Sequence, residues 1–192
     1  MLVYYDFETT GLNQFHDRIT EMSFVKEDNS HFTTLINPQV NIPPFITKIT
    51  KISNDMVVGK PTFKEALPGM YNFLGNGTQP VYLVAHNNDG FDYLVMKAHL
   101  NKEGIKIKDL GYKYIDTLLF AKKLYPQFFK HNLTKLCEQL QVEVEEAHRA
   151  HADCKMLKRL YRKMCEDLAE SLNISFVEVF GNPEIVISYI HD

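Results

Sequence analysis

The feature that most constrains the fold is a short apolar segment, Met1 to Glu8, that ends in two carboxylates. Its length and its Leu, Val, Tyr and Phe content predict a buried β-strand, and Thr9-Thr10-Gly11 predicts a turn after it. Asp6 and Glu8 are two positions apart, so both side chains project from the same face of the strand, about 6.6 Å apart. A sheet built on this strand must hold two anions at the edge of its core.

Two anions in that position repel each other and lose hydration. No Lys or Arg lies within the segment. A divalent cation is the compensating charge that fits best, because hard cations bind carboxylate oxygens and are often shared between them. The other interpretation is that Asp6 and Glu8 end an edge strand and face water, and these two residues alone do not decide between the two.

The rest of the chain predicts strands that first follow one another and then alternate with helices. Arg18 to Lys26 and His31 to Ile36 are β-rich runs separated by a hairpin signal. The later elements predicted are a long loop with one helical turn (Asn37 to Lys60), a helix (Pro61 to Leu74), a strand (Val81 to Ala85), a helix (about Gly90 to Asn101), a strand (Tyr112 to Ile115) and three helices (Asp116 to Tyr125, Leu133 to Leu140 and about Arg149 to Leu172). This order predicts a mixed α/β sheet covered by helices.

Size and charge narrow the class of protein. A chain of 192 residues with 45% hydrophobic residues can bury the core of one domain. We predict this domain over residues 1–172, with residues 173–192 as a C-terminal extension packed on it or continuing it. The balance of 21 Lys+Arg against 24 Asp+Glu gives a net charge of −3. That value argues against a protein that holds nucleic acid by bulk positive charge, but it does not show where the charges lie.

Cysteine usage and hydropathy predict a soluble intracellular protein, cytoplasmic or nuclear. Cys137, Cys154 and Cys165 have no CxxC spacing and are an odd number, so we interpret them as reduced thiols. No apolar run approaches the roughly 20 residues needed to span a bilayer. The N-terminus has no basic region followed by an apolar core, so no signal peptide and no membrane partner are predicted.

A second polar site follows the predicted strand that ends at Ala85. The chain continues as HNNDGFD, and Asp92 falls in the first turn of the next helix. In open α/β sheets this strand-to-helix corner is where ligands usually bind. The alternative is that Asp92 only complements the helix dipole, an effect of a few tenths to about 1 kcal/mol.

A third polar site opens the last long helix. At about 100° per residue, Asp153 shares a helix face with Met156 and Leu157, and a carboxylate on that apolar face needs a partner. His151 is about 200° away from Asp153 and is predicted to point to solvent. His148 lies five residues before Asp153, in the loop that enters the helix, and can lean over the site.

In chain order these three sites resemble the motifs of the DEDDh (DnaQ-like) family of 3′-to-5′ exonucleases. The matching segments are DFETTGL at residues 6–12, HNNDGFD at residues 86–92, and His-x-x-x-x-Asp from His148 to Asp153. The resemblance runs from about Leu2 to Met164. Three residues between His-Asn and Phe-Asp, together with Thr20-Glu21, are similar to the TREX-type three-prime repair exonucleases.

The resemblance implies both a fold and a chemistry. The fold is a ribonuclease H-like mixed five-stranded sheet flanked by helices. The cofactors implied are two divalent metal ions, Mg²⁺ or Mn²⁺, and the carboxylates that hold them are Asp6, Glu8, Asp92 and Asp153. His148 would take a proton from the attacking water, a role suited to imidazole. The product implied is a nucleoside 5′-monophosphate.

Four further residues are candidates for substrate binding. By family analogy Thr9 and Leu12 contact the terminal nucleotide, with Leu12 beneath the base. The alternative is an ordinary turn with a buried Leu12. His86 and Asn87 either bind the strand backbone or tie down their own loop. Lysines that could line a path for phosphates are left outside the site, because lysines on helices more often form a solvated face; they are Lys113, Lys122, Lys123, Lys130 and Lys135.

The predicted function is removal of mononucleotides from the 3′ ends of single-stranded DNA. The alternatives are an exoribonuclease, a proofreading subunit bound to a polymerase, and a catalytically silent relative that only binds nucleic acid. All five expected residues are present, whereas silent relatives usually lose at least one. The TREX-like second motif favours DNA over RNA, and it makes a homodimer a second partner to consider beside the polymerase.

Overall fold

The computed structural model describes residues 1–75, 79–145 and 148–192, and a five-stranded sheet lies at its centre. The strands are β1 (Leu2–Thr9), β2 (Ile19–Lys26), β3 (His31–Leu35), β4 (Tyr82–Ala85) and β5 (Lys113–Asp116). Their spatial order is β3-β2-β1-β4-β5, with β1, β2 and β3 antiparallel and β4 and β5 parallel to β1. The predicted mixed sheet is confirmed, and β1 is its central strand.

Helices cover both faces of the sheet. In the described residues they are α1 (Pro44–Thr50), α2 (Asn54–Val57), α3 (Phe63–Leu74), α4 (Asp92–Lys102), α5 (Thr117–Leu124), α6 (Leu133–Gln139), α7 (Ala150–Leu172), α8 (Phe176–Gly181) and α9 (Pro183–His191), with one 3₁₀ turn at Ile107–Leu110. Local signals explain where they start. Thr62 and Glu65 form a capping box before α3, and the Asp116 carboxylate accepts the first free N–H groups of α5.

The alternation of side chains along β1 decides which face carries the polar site. Val3 and Tyr5 pack into the core beneath α3 and α4. Tyr4 packs on the opposite face, where its ring lies 5.9 Å from that of Tyr161 in α7. Because successive side chains alternate, the carboxylates that follow Tyr4 with a period of two project toward the α7 face.

The segment Asn37 to Lys60 differs from its prediction. Instead of a loop with one helical turn it contains the two short helices α1 and α2. Pro44 is the first residue of α1, where its missing N–H leaves no bond unmade. Four apolar side chains of this segment bury one another in a small cluster: Ile42, Ile46, Ile52 and Val57. The prolines start a helix here, and the prediction of a loop was wrong.

Residues 173–192, which had no predicted structure, form α8 and α9. A capping box of Ser175 and Glu178 starts α8, and Val179 and Val186 are buried in the core beneath α7. Glu184 of α9 accepts hydrogen bonds from the Tyr82 hydroxyl at 2.7 Å and from Lys113. The C-terminal helices therefore pack against the sheet through both apolar and polar contacts. Among the helices of the described residues, none has the length and apolar character that crossing a membrane requires.

Candidate active site

Three of the predicted carboxylates meet at the end of the central strand. Asp6 and Glu8 come from β1, and Asp153 comes from the first turn of α7, which packs across β1 and β2. One carboxylate oxygen from each of the three lies within 4.8 Å of the other two. The sheet and the helix thus bring together residues that are about 145 positions apart in the chain.

Asp92 supplies a fourth carboxylate beside this group. It is the first residue of α4, it is only 3% exposed, and its Oδ1 accepts a hydrogen bond from the backbone N–H of Phe7 at 3.2 Å. Phe7 lies between Asp6 and Glu8, so this bond fixes Asp92 against the strand that carries both. Asp92 is not part of the 4.8 Å group, and it borders the group from the α4 side.

Burial and mutual repulsion strongly disfavour the charged forms of these groups. Burial, followed by the charges of Asp92 and Asp153, raises the pKa of Asp6 well above its usual range. Burial, followed by the charges of Asp153 and Glu21, raises the pKa of Glu8 to about 8. Burial also raises the pKa of Asp92 to about 8 and that of Asp153 to about 6, although hydrogen bonds from the backbone N–H groups of Phe7 and His148 act in the opposite direction.

The donor set fits a hard divalent cation. Asp153 accepts a bond from the backbone N–H of His148 through Oδ2 at 3.1 Å. Its other oxygen, Oδ1, is buried and has no hydrogen-bond partner in the part of the chain that the structure describes. An orphaned buried oxygen, two neighbouring carboxylates and raised pKa values are what a cation bound by oxygen ligands would relieve. Mg²⁺ and Mn²⁺ are cations of this kind.

His148 stands at the entrance to this cluster. It lies just before α7, with a left-handed backbone (φ 67°) and an exposed side chain. Its backbone bond to Asp153 fixes the loop, and the imidazole is near enough to help lower the pKa of that carboxyl. A side chain that is anchored by its backbone and still exposed can exchange protons with water at the cluster.

The prediction that His151 points freely to solvent is wrong. His151 is half-buried, its ring centroid lies 4.5 Å from that of His31, and its Nδ1 lies 3.4 Å from the Thr33 hydroxyl. The helical phase was correct in directing His151 away from Asp153, but the first turn of α7 lies over β2 and β3. The side of the helix that periodicity assigned to water therefore meets β3.

Glu21 is a functional residue that sequence reasoning recorded only as a family match. It lies on β2 directly opposite Glu8 and is 2% exposed. Its Oε1 accepts from Arg149 Nη2 at 2.8 Å, and its Oε2 accepts from Arg149 Nε at 3.2 Å and from the Ala150 N–H at 3.0 Å. Glu21 therefore holds the start of α7, and with it Asp153, against the sheet. The available signal was an acidic residue in the middle of a strand rich in apolar residues, where a charge requires a partner.

The turn after β1 presents Leu12 to solvent. Leu12 is 82% exposed, so the alternative of a buried Leu is wrong. Asp17 organises this turn by accepting from the Thr10 hydroxyl at 3.1 Å and from the Asn13 N–H at 2.8 Å. A Cβ at Gly11 would lie 2.4 Å from the Asp17 carboxylate, so only glycine fits there. The Thr9 hydroxyl donates to the Gly11 carbonyl at 2.5 Å, which also rigidifies the turn.

The loop of the second motif is held from within the protein. His86 lies 3.0 Å from the Thr117 hydroxyl through Nδ1, and its Nε2 donates to the His131 carbonyl at 2.8 Å. Burial lowers its pKa, which favours the neutral ring. Asp116 accepts the N–H groups of Asn87 at 3.1 Å and of Asp89 at 3.0 Å. In this structure both ring nitrogens of His86 are bound inside the protein, whereas the Asn87 side chain is exposed.

Comparisons of sequence place this site in a known family. The sequence profile of RNase_T, described as an exonuclease family, matches residues 3–161. The epsilon subunit of DNA polymerase III from Treponema pallidum (strain Nichols) is 37% identical over 166 residues, which are 83% of this chain and 74% of that protein. The PolC-type DNA polymerase III of Clostridium perfringens (strain 13 / Type A) is 37% identical over 174 residues, 86% of this chain. The chain spans only 12% of that polymerase.

Comparisons of structure agree. Exonuclease X in complex with 5′ overhanging duplex DNA aligns with a TM-score of 0.67 at 25% identity, over 91% of this chain and 95% of that one. E. coli exonuclease I in complex with a dA16 oligonucleotide aligns with a TM-score of 0.73 at 17% identity, over 93% and 42%, a likeness of fold alone. The predicted ribonuclease H-like fold and DnaQ-like resemblance are confirmed, and closeness to the TREX-type branch stays a prediction. The chain belongs to the RNase_T family of exonucleases.

Proposed function

We propose that the protein is a metal-dependent 3′-to-5′ exonuclease that releases nucleoside 5′-monophosphates from single-stranded DNA ends. The observation that carries the proposal is the carboxylate cluster, in which one oxygen from each of three residues lies within 4.8 Å of the other two and Asp153 Oδ1 is buried with no partner in the described residues. Such a cluster is unfavourable in the apo protein, as the raised pKa values of Asp6 and Glu8 indicate. It becomes favourable when divalent cations bind.

The proposed ligands of two Mg²⁺ or Mn²⁺ ions are Asp6, Glu8, Asp92 and Asp153. Bound divalent ions supply an acidified water and positive charge for the phosphate oxygens. The contribution of this chain is to hold the four carboxylates in place. The Phe7 N–H fixes Asp92, and the His148 N–H fixes Asp153.

His148 is the proposed general base. Its imidazole is exposed at the rim of the cluster, while its backbone is bonded to Asp153. In this position the ring can accept the proton of the attacking water and release it to solvent. The 3′ oxygen of the penultimate nucleotide leaves as the P–O bond breaks, and the phosphate stays on the released mononucleotide.

Leu12 and Thr9 are proposed to receive the terminal nucleotide. The Leu12 side chain is exposed on a turn that Asp17 keeps rigid, so it can support the face of a base without distinguishing between bases. DNA as substrate is supported by exonuclease X, which was solved in complex with 5′ overhanging duplex DNA. RNA stays the alternative, because both nucleic acids present bases and phosphates to such a site.

A polymerase-associated proofreading role is the second candidate. It is favoured by the 37% identity to both the epsilon subunit and the PolC-type polymerase. Co-purification of a polymerase with the tagged protein from its own cells would support this role, and recovery of an isolated monomer or homodimer would count against it.

The deciding experiment is digestion of matched DNA and RNA oligonucleotides that carry a 3′ label. We expect labelled mononucleotide to be released from single-stranded DNA in Mg²⁺ or Mn²⁺ and release to stop with EDTA. Faster release from RNA would assign the exoribonuclease alternative. Binding of the oligonucleotide without hydrolysis under all metal conditions would identify a silent binding module and refute the proposal.

A further inference from the structure

The loop between α5 and α6, residues 125–132, is joined at one end to the second motif, because His131 bonds to His86. In the parallel pair of β1 and β4, Tyr4 is opposite Val84, so two residues further along both chains Asp6 is level with His86. His86 in turn bonds to His131 of the loop. Tyr125 is buried in the same core cluster as Tyr4, on the face toward which Asp6 projects. The His131 end of the loop therefore lies at the end of the sheet that carries the cluster, and the loop packs on the same face.

Internal contacts hold this loop in place. The His86 ring donates to the His131 carbonyl at 2.8 Å, and the His131 ring donates to the Tyr125 carbonyl at 3.0 Å. The Phe128 ring stacks on Tyr125 with centroids 5.1 Å apart. These contacts fix the backbone of the loop and the Phe128 ring. The next residue, which is also aromatic, therefore has a defined position.

That next residue is Phe129. Its side chain is 95% exposed, more than any other large hydrophobic side chain in the described residues. Exposing a phenyl ring forgoes about 1.5–3 kcal/mol of burial free energy. A rigid loop that holds such a ring in water is arranged to contact a binding partner.

Two exposed lysines, Lys122 of α5 and Lys130 next to Phe129, are free to bind an anion. Of the five lysines that could line a path for phosphates, three have partners. Lys113 pairs with Glu184, Lys135 pairs with Glu138, and Lys123 lies over the Tyr189 ring. Lys122 and Lys130 are exposed, and neither has an acidic partner within 4.0 Å in residues 1–75, 79–145 and 148–192. Lys122 is close enough to His86 to help lower its pKa.

We propose that Phe129, Lys130 and Lys122 form a single-strand track that binds nucleotides upstream of the scissile phosphate. Phe129 stacks on an unpaired base, and the two lysines bind the flanking phosphates. His86 is a positioning residue, because its bond to the His131 carbonyl fixes the position of this loop. The inference rests on the proposed function, because it assumes that the 3′ end lies in the carboxylate cluster.

Nucleic acid is the occupant that the surface favours. A protein partner would cover Phe129 with apolar side chains, but its neighbour Lys130 and Lys122 of α5 carry positive charges that have no acidic partner in the described residues. An exposed aromatic ring combined with cations is the usual arrangement for sequence-tolerant binding of single strands. The strand must be unpaired, since only an unstacked base offers its face to a phenyl ring.

The test measures binding and hydrolysis separately with Phe129→Ala in the full chain. Binding of a fluorescent eight-nucleotide DNA strand is measured with Ca²⁺ in place of Mg²⁺, and hydrolysis is compared between that strand and the p-nitrophenyl ester of thymidine 5′-monophosphate. We expect the Kd and the KM for the strand to rise about 5- to 100-fold, the range found for loss of one base stack. The nitrophenyl ester has no upstream nucleotide, so its hydrolysis is expected not to change.

Three further variants sharpen the result. Phe129→Trp is expected to restore strand binding, because the indole ring stacks at least as well. Lys130→Gln is expected to weaken binding and to reduce its salt dependence by about one ion. Val177→Ala removes an apolar side chain that is 76% exposed on α8, and it is expected to leave Kd and KM unchanged.

The outcomes separate the two proposals. An unchanged Kd in Phe129→Ala, or equal losses on the strand and on the nitrophenyl ester, would overturn the track. Loss of binding to a polymerase, with unchanged binding to the strand, would assign Phe129 to a protein interface and also overturn it. If the wild type binds the strand through Phe129 but hydrolyses neither substrate, the track stands and the proposed nuclease function fails.

Discussion

Glu8 and Glu21 face each other across β1 and β2, and the charges around them are opposite in sign. Glu21 receives two nitrogens of Arg149 and the backbone N–H of Ala150. Glu8 faces other carboxylates, and burial followed by the charges of Asp153 and Glu21 raises its pKa to about 8. Both residues are acidic and lie in the same rung of the sheet, so residue type does not distinguish their roles.

What distinguishes them is the origin of the compensating charge. Arg149 neutralises Glu21, so this ion pair contributes to the free energy of folding. The charges of Glu8 and its neighbours would be neutralised by a ligand from solution, so they contribute to the free energy of ligand binding and to catalysis. A buried carboxylate that is paired with a cation of its own chain marks structure, and a cluster of carboxylates that repel one another and have raised pKa values marks a site.

The largest effect is expected from removing one charge of the uncompensated cluster. In Asp92→Asn the amide oxygen can still accept the Phe7 N–H, but a metal ligand is lost. We expect mononucleotide release to fall at least about 10³-fold. The thermal stability of the metal-free protein is expected to stay equal or to rise, because a repelled charge has been removed.

Asp55→Asn serves as the matched control, because Asp55 is exposed on α2, away from the cluster. It should change neither the rate of release nor the melting temperature. Full activity of Asp92→Asn would show that the cluster is not the metal site, and the contrast with Glu21 would then lose its meaning.

The next largest effect is expected from removing the proposed general base, His148. His148→Ala is expected to lower the rate of release about 10²- to 10⁴-fold, the usual contribution of a general base, with little change in metal affinity. His151→Ala removes a ring that packs on His31, and we expect less than a threefold change. Rate measurements on both variants at saturating metal decide the assignment, and a larger loss in His151→Ala would reverse it.

Glu21 is the residue of the pair whose charge is compensated within the protein, so Glu21→Ala should mainly lower the stability of the fold. It leaves the buried Ala150 N–H without its acceptor and releases Arg149 from the sheet, so we expect a loss of about 1–3 kcal/mol in the free energy of unfolding. Because α7 then holds Asp153 less firmly, the rate should also fall, about 10- to 100-fold. Urea unfolding and mononucleotide release measure the two effects.

Two controls belong to that measurement. Glu21→Gln keeps an acceptor for the Ala150 N–H and should recover part of both losses. Glu143→Ala breaks an ion pair with Arg159 whose acid is 72% exposed, and it should cost less than about 1 kcal/mol. A stability loss in Glu21→Ala equal to that of Glu143→Ala would contradict the structural role of Glu21.

The last prediction concerns the pH dependence of the metal-free protein. Glu8 and Asp92 have pKa values of about 8 in the folded state, above those of an unfolded chain, so folding takes up protons near neutral pH. The free energy of unfolding should therefore be highest near pH 4–5 and fall toward pH 8, with an upper limit of about 1.4 kcal/mol per pH unit for each of these two groups. Melting curves with EDTA test this trend.

Adding Mg²⁺ or Mn²⁺ should reverse that trend, since metal binds the deprotonated carboxylates and stabilises the protein most at the higher pH. Glu8→Gln should show a shallower decline than the wild type. A metal-free stability that rises between pH 5 and pH 8 would mean that the protein compensates Glu8 as well as it compensates Glu21.

The sequence predicted the part of the site that follows local rules. The period of two placed Asp6 and Glu8 on one face of β1, the apolar stripe of α7 placed Asp153 against the sheet, and both are found there. The mixed sheet and the family were likewise predictable, because motif order and the alternation of strands and helices are properties of the sequence itself.

The remaining features depend on contacts between distant segments. Nothing near Glu21 indicates that Arg149, 128 residues later, supplies its counter-charge. The two interpretations of His86 differed only in its partner, and the bond to His131 exists because the loop after α5 returns to the second motif. The burial of His151 depends on where α7 crosses β3. Local periodicity carries none of this information.

The distance in sequence between Glu21 and Arg149 has a consequence for synthesis. The cluster needs Asp153, and Asp153 is placed only when α7 docks on β2 through an ion pair that closes 128 residues of chain. A polypeptide still emerging from the ribosome has β1 exposed but cannot assemble the cluster before Asp153 has been synthesised. The candidate metal site therefore cannot form before α7 has begun to leave the ribosome.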